Sequence, residues 1–325
     1  MKVLVLGYSV TAEGPGFVEI AERSLGTGSG ISLVKAGLAG LQPYHARYLF
    51  PEILRQHQPD AVVLDQSTPA YRNFLQGPGD YYRTLKALMR DCQTAGIRFG
   101  FLDLPRSDVD FGNDWVVSHH AELAEAYGVP HVIVPLAAGR LRDEVHPTED
   151  GRKQYAEALL SILGQLAPLD GPADTFGDAP HYDALMTTRL VGHHMPRYML
   201  SRGGYDEEMV YVASGMTLTI PFPKPYLVRG FSGLMWPRCG ELEIKLGDTV
   251  IRRQMYNEFC YYPRMGAVLF GGPNAPQGAT AGWANFRQLP EQPGIPLRKG
   301  MVNTMPRLGA IGSIFVETQE GGSRG

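Results

Sequence analysis

A serine and a carboxylate–imidazole pair in the first half of the chain have the residue types that acyl transfer requires. Ser9 follows a short apolar run ending at Gly7, where a buried strand would turn into a helix. A helix N-terminus favours developing negative charge and suits a nucleophile, although a serine there can also simply cap the helix. Asp143 and His146 stand three residues apart in Asp-Glu-Val-His-Pro, so a carboxylate lies beside an imidazole. At this point both interpretations of Ser9 stay open.

Two further segments carry groups that could stabilise an oxyanion. Gly37 and Gly40 belong to a glycine-rich turn, Lys-Ala-Gly-Leu-Ala-Gly, which can present free backbone N–H groups. Ser67 and Thr68 place two hydroxyls directly after another apolar run. Together the four segments contain a nucleophile, a base, an orienting group and an oxyanion hole, which are the parts of an acyl-transfer site.

A regular alternation of strands and helices positions these segments. Strand patterns cover 2–7, 31–37, 60–66, 98–104 and 131–136, and helical spacing covers 17–25, 46–58, 81–95, 114–127 and 148–166. This alternation predicts a doubly wound, flavodoxin-like parallel sheet of five strands with helices on both faces. The carboxyl ends of such strands meet at one edge, where ligands bind. A dinucleotide site is disfavoured, because the first turn lacks the second glycine of G-x-G-x-x-G.

Four blocks in this order resemble the SGNH (GDSL-type) esterase and lipase superfamily over residues 1–166. They read GYSVTAEG, KAGLAG, RQHQPDAVVLDQST and DEVHP. The resemblance implies that Ser9 is the nucleophile, His146 the base and Asp143 the acid that orients it. It also implies that the backbone N–H groups of Ser9 and Gly40 hold the oxyanion.

The chain departs from the family pattern at two positions. Tyr8 stands where the family usually has an aspartate before the serine. That aspartate is not the nucleophile. The third block normally supplies an oxyanion-hole asparagine, but the matching stretch here reads Gln-Ser-Thr-Pro-Ala. Ser67 or Thr68 is therefore expected to donate from its hydroxyl instead. Because side chains alternate along a strand, only one of the two is expected to face the crevice.

The second half of the chain has a different pattern. A Gly-, Pro- and Asp-rich stretch near 169–180 predicts a linker between a domain at 1–168 and a second at 181–325. Short strands are predicted at 209–220, 226–231, 241–246, 249–254, 259–262, 267–270 and 311–317. This spacing predicts an all-β sandwich or jelly-roll-like domain, with a hairpin at Lys-Leu-Gly-Asp-Thr. Its aromatics are expected to lie mostly in the core, with sugar stacking as the alternative.

Composition limits the class of protein further. The 325 residues include 30 basic and 33 acidic ones, so the chain has no excess of positive charge of the kind that binds nucleic acid. No segment is long and apolar enough for a membrane span, and no secretory signal is evident. The three cysteines, Cys92, Cys239 and Cys260, lack metal-type spacing and are expected to be reduced thiols of a cytoplasmic protein. The His119–His120 and His193–His194 pairs are expected to be solvated, so no metal site is predicted.

The sequence thus predicts a serine esterase that cleaves small acyl esters through a covalent acyl-enzyme and needs no cofactor. The resemblance implies O-acetyl groups on carbohydrate as substrates, and a homo-oligomer is compatible with the sequence. Two alternatives stay open. One is an O-acyltransferase using the same Ser-His-Asp residues, and the other is a non-catalytic carbohydrate-binding or assembly protein with a decayed site.

Overall fold

The computed structural model describes residues 1–69, 77–169, 176, 179–271, 278–300 and 305–318. The chain divides into two compact units. The first consists of Met1–Pro180 with Arg202–Tyr205, and the second of His181–Ser201 with Asp206–Gly325. Most of the predicted linker, residues 170–175 and 177–178, lies outside the described residues.

The first unit is built on a five-stranded parallel sheet. Its strands are β1 (Lys2–Gly7), β2 (Ser32–Gly37), β3 (Ala61–Leu64), β4 (Arg98–Asp103) and β5 (His131–Ile133). Their order is β2-β1-β3-β4-β5, and every pairing is parallel. β1 and β3 are buried almost throughout because helices cover both faces. The order places the end of β1 between the ends of β2 and β3, where the first and third sequence blocks meet.

In the described part of the first unit, six helices alternate with these strands. They are α1 (Ser9–Ala12), α2 (Phe17–Leu25), α3 (Pro43–His57), α4 (Pro78–Thr94), α5 (Trp115–Tyr127) and α6 (Glu149–Leu163). α6 begins as the sequence predicts, because the Thr148 hydroxyl accepts a hydrogen bond from the Gly151 N–H at 3.3 Å. α2 and α6 pack on one face around Phe17 and Tyr155, whose rings meet edge to face. The predicted doubly wound sheet is confirmed.

The second unit is antiparallel, and its described part contains one short helix and nine strands. In order these are β6 (His181–Met186), α7 (Thr187–Leu190), β7 (Arg197–Arg202), β8 (Tyr205–Ala213), β9 (Thr217–Met235), β10 (Glu241–Leu246), β11 (Thr249–Gln254), β12 (Arg264–Leu269), β13 (Ala279–Gln288) and β14 (Leu308–Thr318). The main path runs β11-β10-β13-β9-β14-β8-β7, with β12 paired to β9 and β6 to β14. The nine strands form one hydrogen-bonded network, and the predicted all-β class is confirmed.

The long strand β9 organises the core of this unit. Its first part pairs with β13 and its last part with β12, while β14 runs along it as well. Phe231 of β9 is fully buried and meets the ring of Phe286 at 5.1 Å between centroids. The hairpin predicted at Lys-Leu-Gly-Asp-Thr is confirmed, because Leu246 pairs with Thr249 across two turn residues.

Three sequence predictions are wrong in detail. The single strand at 209–220 is two strands, because the chain turns at Ser214–Met216, where Gly215 has φ +76°. The strand at 259–262 is a turn, although Cys260 within it is buried as expected. His120 is not solvated but fully buried, since it lies on the inner side of α5, whereas His193 and His194 are exposed as expected.

In the described ranges, we find no helix whose length and hydrophobicity together would allow it to cross a bilayer.

Candidate active site

The turn from β1 into α1 places Ser9 at the edge of the sheet. A Cβ on Gly7 would lie 2.1 Å from Thr11 Oγ1 and 2.9 Å from Asp65 Oδ2, so the tight turn requires glycine there. Ser9 is the first residue of α1 and does not cap it, because the N-cap position is held by Tyr8. The Ser9 hydroxyl is instead 3.0 Å from Nε2 of His146, although the two residues are 137 positions apart.

Asp143 and His146 lie in the loop between β5 and α6. The Nδ1 atom of His146 is 3.0 and 2.9 Å from the two carboxylate oxygens of Asp143. The same carboxylate accepts hydrogen bonds from the backbone N–H groups of Val145, at 3.0 Å, and His146, at 2.7 Å. Three nitrogen atoms of this short loop therefore converge on one carboxylate, which fixes the imidazole with Nε2 directed at Ser9.

These hydrogen bonds also determine the charge of Asp143. Burial alone would raise its pKa, but the N–H groups of His146 and Val145 and the His146 side chain hold the pKa of Asp143 below its ordinary value. The carboxylate therefore stays ionised around neutral pH and can stabilise a proton on the imidazole. The His146 side chain keeps 26% of its surface exposed, so water can reach the ring.

A cavity of about 380 Å³ opens beside Ser9. Ser9, Gly40 and Thr68 all line it, so three of the four predicted oxyanion residues lie around one space. Ser67 does not line the cavity. Its hydroxyl donates to the carbonyl of Leu104 at 3.0 Å and accepts the Leu104 N–H at 2.9 Å, which ties the end of β3 to the end of β4. Of the two expected alternatives, the structure thus brings Thr68 to the crevice.

The loop after β4 contributes two further cavity residues that the sequence analysis missed. Arg106 is almost fully buried, and its Nη1 donates to the Thr68 carbonyl at 2.5 Å. Its Nε and Nη2 atoms donate to the two carboxylate oxygens of Asp108, at 2.9 and 2.8 Å. Both side chains line the cavity. The sequence could have indicated both residues, because the loops that follow parallel strands all lie at the same edge of the sheet, and this includes the loop after the fourth strand.

Asp65 lies beneath this edge as a buried carboxyl group. The hydroxyls of Thr11 and Thr68 lie 3.2 and 3.3 Å from its Oδ2 atom. Burial, reinforced by the nearby charge of Asp103, raises the pKa of Asp65 to about 7 in spite of these hydrogen bonds. Asp65 thus links α1, which carries Ser9, to the loop that carries Thr68.

A second buried cluster joins β4, α5 and β5 on the sheet. Asp103 accepts hydrogen bonds from His120 Nδ1 at 2.7 Å and His131 Nε2 at 2.6 Å, and the Tyr81 hydroxyl is 2.5 Å from His120 Nε2. Burial would raise the pKa of Asp103, but the two histidines hold it well below its ordinary value.

Asp103, His120 and His131 have the donor types of a metal site, with ligand atoms within 4.8 Å of one another. Their spacing fits hydrogen bonds better. Tetrahedral ligands of one zinc ion lie roughly 3.3 Å apart, from metal–ligand bonds of about 2.1 Å. The carboxylate–imidazole contacts of 2.6 and 2.7 Å are much shorter. We therefore interpret the three residues as a hydrogen-bonded network.

Two aromatics of the second unit, Phe231 and Tyr256, are buried too deeply to stack on a sugar. Phe231 is completely buried and Tyr256 keeps 7% of its surface, so both belong to the core. Tyr211 and Trp236 are half-buried, and Trp236 donates its indole N–H to the Leu308 carbonyl at 2.7 Å.

Comparison with known proteins gives a match by structure alone. No family model and no curated protein matches the chain. A two-domain esterase active on acetylated mannans, crystallised with mannopentaose, superposes with a TM-score of 0.67 at 11% identity, covering 99% of this chain and 92% of its own. An acetyl xylan esterase aligns over 50% of this chain and 100% of its own, with 17% identity and a TM-score of 0.44. An esterase from Pseudoalteromonas sp. aligns over 50% of this chain and 96% of its own, with 16% identity and a TM-score of 0.44.

The chain therefore has a doubly wound α/β unit followed by a separate antiparallel β unit, and this fold is similar to that of the two-domain mannan-active esterase. The five-stranded α/β fold expected for the first unit and the all-β class expected for the second are both confirmed.

Proposed function

We propose that the protein is a serine esterase that removes small acyl groups, above all O-acetyl groups, from carbohydrate. The observation that carries the proposal is the chain of contacts from Ser9 Oγ to His146 Nε2, at 3.0 Å, and from His146 Nδ1 to the Asp143 carboxylate, at 2.9 Å. A nucleophile, a base and an orienting acid in this geometry constitute the arrangement of serine hydrolases.

In the proposed reaction, Ser9 Oγ attacks the ester carbonyl carbon while His146 Nε2 takes the hydroxyl proton. The resulting oxyanion is held by the backbone N–H groups of Ser9 and Gly40, and the Thr68 hydroxyl becomes the third donor by turning away from Asp65 Oδ2, to which it donates at 3.3 Å. His146 then gives the proton to the leaving alcohol, which leaves the acyl group on Ser9. Water, activated by His146, releases the acid, and Asp143 stabilises the imidazolium in both halves of the cycle.

The cavity supports a small acyl group attached to a hydroxyl-rich alcohol. Its volume of about 380 Å³ is modest, and beside Ser9 it is lined by the polar side chains of Gln42, Arg106, Asp108 and Glu144. Such groups donate to and accept from sugar hydroxyls. The similar two-domain esterase acts on acetylated mannans, which agrees with this substrate class. The exposed edge of His146 admits water, which favours hydrolysis over transfer to a second sugar.

The test is release of acetate from acetylated mannan and xylan oligosaccharides, with p-nitrophenyl acetate as an activated reference ester. We expect turnover by the wild-type protein and none above background by Ser9→Ala. Ser161→Ala is the matched control, because its hydroxyl only donates to the Ala158 carbonyl on an exposed part of α6. Equal turnover by wild type and Ser9→Ala would refute the proposal, as would a wild-type protein inactive on all these esters.

A further inference from the structure

Glu13 stands immediately after α1, the helix that begins with Ser9. Its side chain keeps only 15% of its surface exposed, and both carboxylate oxygens are engaged. Oε1 pairs closely with the Arg142 guanidinium, while Oε2 lies 3.2 Å from Nη2 and 3.3 Å from Nε of Arg152. One carboxylate therefore holds two arginines that are ten residues apart.

The two arginines flank the loop that carries His146. Arg142 directly precedes Asp143, and its backbone N–H donates to the carbonyl of His146 at 2.9 Å. Its Nη1 atom donates to the Pro147 carbonyl at 3.4 Å, so the guanidinium spans the loop before it reaches Glu13. Arg152 lies in the first turn of α6, just after the loop. Glu13 thus contacts both ends of the segment that positions the imidazole.

The backbone of Glu13 is fixed from the opposite side. Lys35, on β2, donates from Nζ to the Glu13 carbonyl at 2.5 Å and also forms an ion pair with Glu19 at 2.5 Å. The Glu13 backbone is therefore anchored to the sheet, so its side chain can hold the loop that carries His146 in place.

We propose that Glu13 is a positioning residue that keeps His146 within hydrogen-bond distance of Ser9. It acts by bridging Arg142 and Arg152, because its carboxylate attracts both guanidinium groups, which would otherwise repel each other and displace the loop from α1. The expected fall in kcat rests on the proposed esterase function, whereas the expected effect on the position of His146 does not. Because a displacement of about 1 Å at a reacting group can cost on the order of 100-fold in rate, the effect should be measurable.

The variant Glu13→Gln keeps the size of the side chain and removes its charge. We expect kcat to fall on the order of tenfold to 100-fold with KM nearly unchanged, because the loss concerns geometry in the transition state. Glu13→Asp, which keeps the charge, should recover most of this loss. Arg142→Gln should reproduce the loss, and combining it with Glu13→Gln should add little, since both remove the same contact.

Glu149→Gln is the matched control. It also removes a carboxylate that pairs with a cation on α6, Lys153 at 3.1 Å, but the pair is exposed and does not touch the loop. We expect its kcat to equal that of the wild type. Thermal unfolding of each variant shows whether a lower rate reflects fewer folded molecules.

A measurement that does not depend on activity separates the two proposals. The imidazole ¹³C–¹H signal of His146, assigned with His146→Gln, should shift in Glu13→Gln and stay in place in Glu149→Gln. An unchanged His146 signal with wild-type kcat would overturn the positioning role. A lower melting temperature with an unchanged signal and unchanged kcat would reduce Glu13 to a merely structural residue and overturn it too. If the wild type hydrolyses no ester, the esterase proposal fails and the NMR result alone decides the role of Glu13.

Discussion

Ser67 and Thr68 are adjacent hydroxyl residues with different surroundings. Ser67 binds both backbone groups of Leu104 inside the protein, whereas Thr68 lines the cavity beside Ser9. Thr68→Val should therefore lower kcat, on the order of 100-fold if its hydroxyl is an oxyanion donor, with little change in KM. Ser67→Ala should instead destabilise the fold by about 1–3 kcal/mol, because the Leu104 N–H loses its buried partner.

Steady-state kinetics and urea unfolding on both variants distinguish these effects. Wild-type kcat in Thr68→Val would mean that the oxyanion is held by backbone N–H groups alone. Unchanged unfolding of Ser67→Ala would contradict the structural role assigned to the Leu104 contact.

Ser9, His146 and Asp143 are expected to act as one unit. In such a unit, one missing member removes most of what the others contribute, so losses do not add. The double variant Ser9→Ala with His146→Ala should thus hydrolyse p-nitrophenyl acetate no more slowly than Ser9→Ala alone. Log-additive losses in kcat/KM would indicate that the two residues act independently.

At the scale of elements, Asp65 directly follows β3 and Asp103 ends the neighbouring β4, and the pKa values of the two carboxyl groups are shifted in opposite directions. The pKa of Asp65 is raised from 3.8 to about 7 in the folded protein, so native Asp65 binds a proton that the unfolded chain loses near pH 4. Its contribution to stability is therefore full below pH 4 and is lost as the pH rises through 7. A shift of this size corresponds to at most about 4 kcal/mol.

Asp65→Asn removes this titration and keeps an acceptor for Thr11 and Thr68. Relative to the wild type, its free energy of unfolding should rise between pH 4 and 7 and then level off. Asp103→Asn is the contrasting variant and should be destabilised, because His120 and His131 lose their ionised partner. A pH-independent difference between Asp65→Asn and wild type would contradict the raised pKa.

The sequence predicted the parallel sheet well because its strands are short and mostly apolar, and the central strands β1, β3 and β4 are buried almost throughout. It predicted Ser9, Asp143 and His146 as neighbours because strand ends in such a sheet share one edge. The antiparallel unit was harder, since 209–220 carries strand-forming residues on both sides of the turn at Gly215. The Asp103 network could not be predicted, because its members come from β4, α5 and β5 and have no characteristic spacing.

At the scale of the molecule, the residues proposed for the chemistry all belong to the first unit. We predict that a fragment of residues 1–180 folds and still hydrolyses p-nitrophenyl acetate, because a domain of that size can form its own core. On acetylated oligosaccharides its kcat/KM should fall, since remote contacts help to orient a large substrate. Equal kcat/KM of fragment and full chain on the oligosaccharide would exclude a substrate-selecting role for the β unit.

The central claim is that His146 activates Ser9 as a nucleophile. Mass spectrometry of the full chain after treatment with a fluorophosphonate tests it most directly, because this reagent phosphonylates activated serines. We expect one adduct per molecule, mapped to Ser9, absent in Ser9→Ala and formed much more slowly in His146→Ala. An adduct on another serine, or labelling of Ser9 at the same rate without His146, would contradict it.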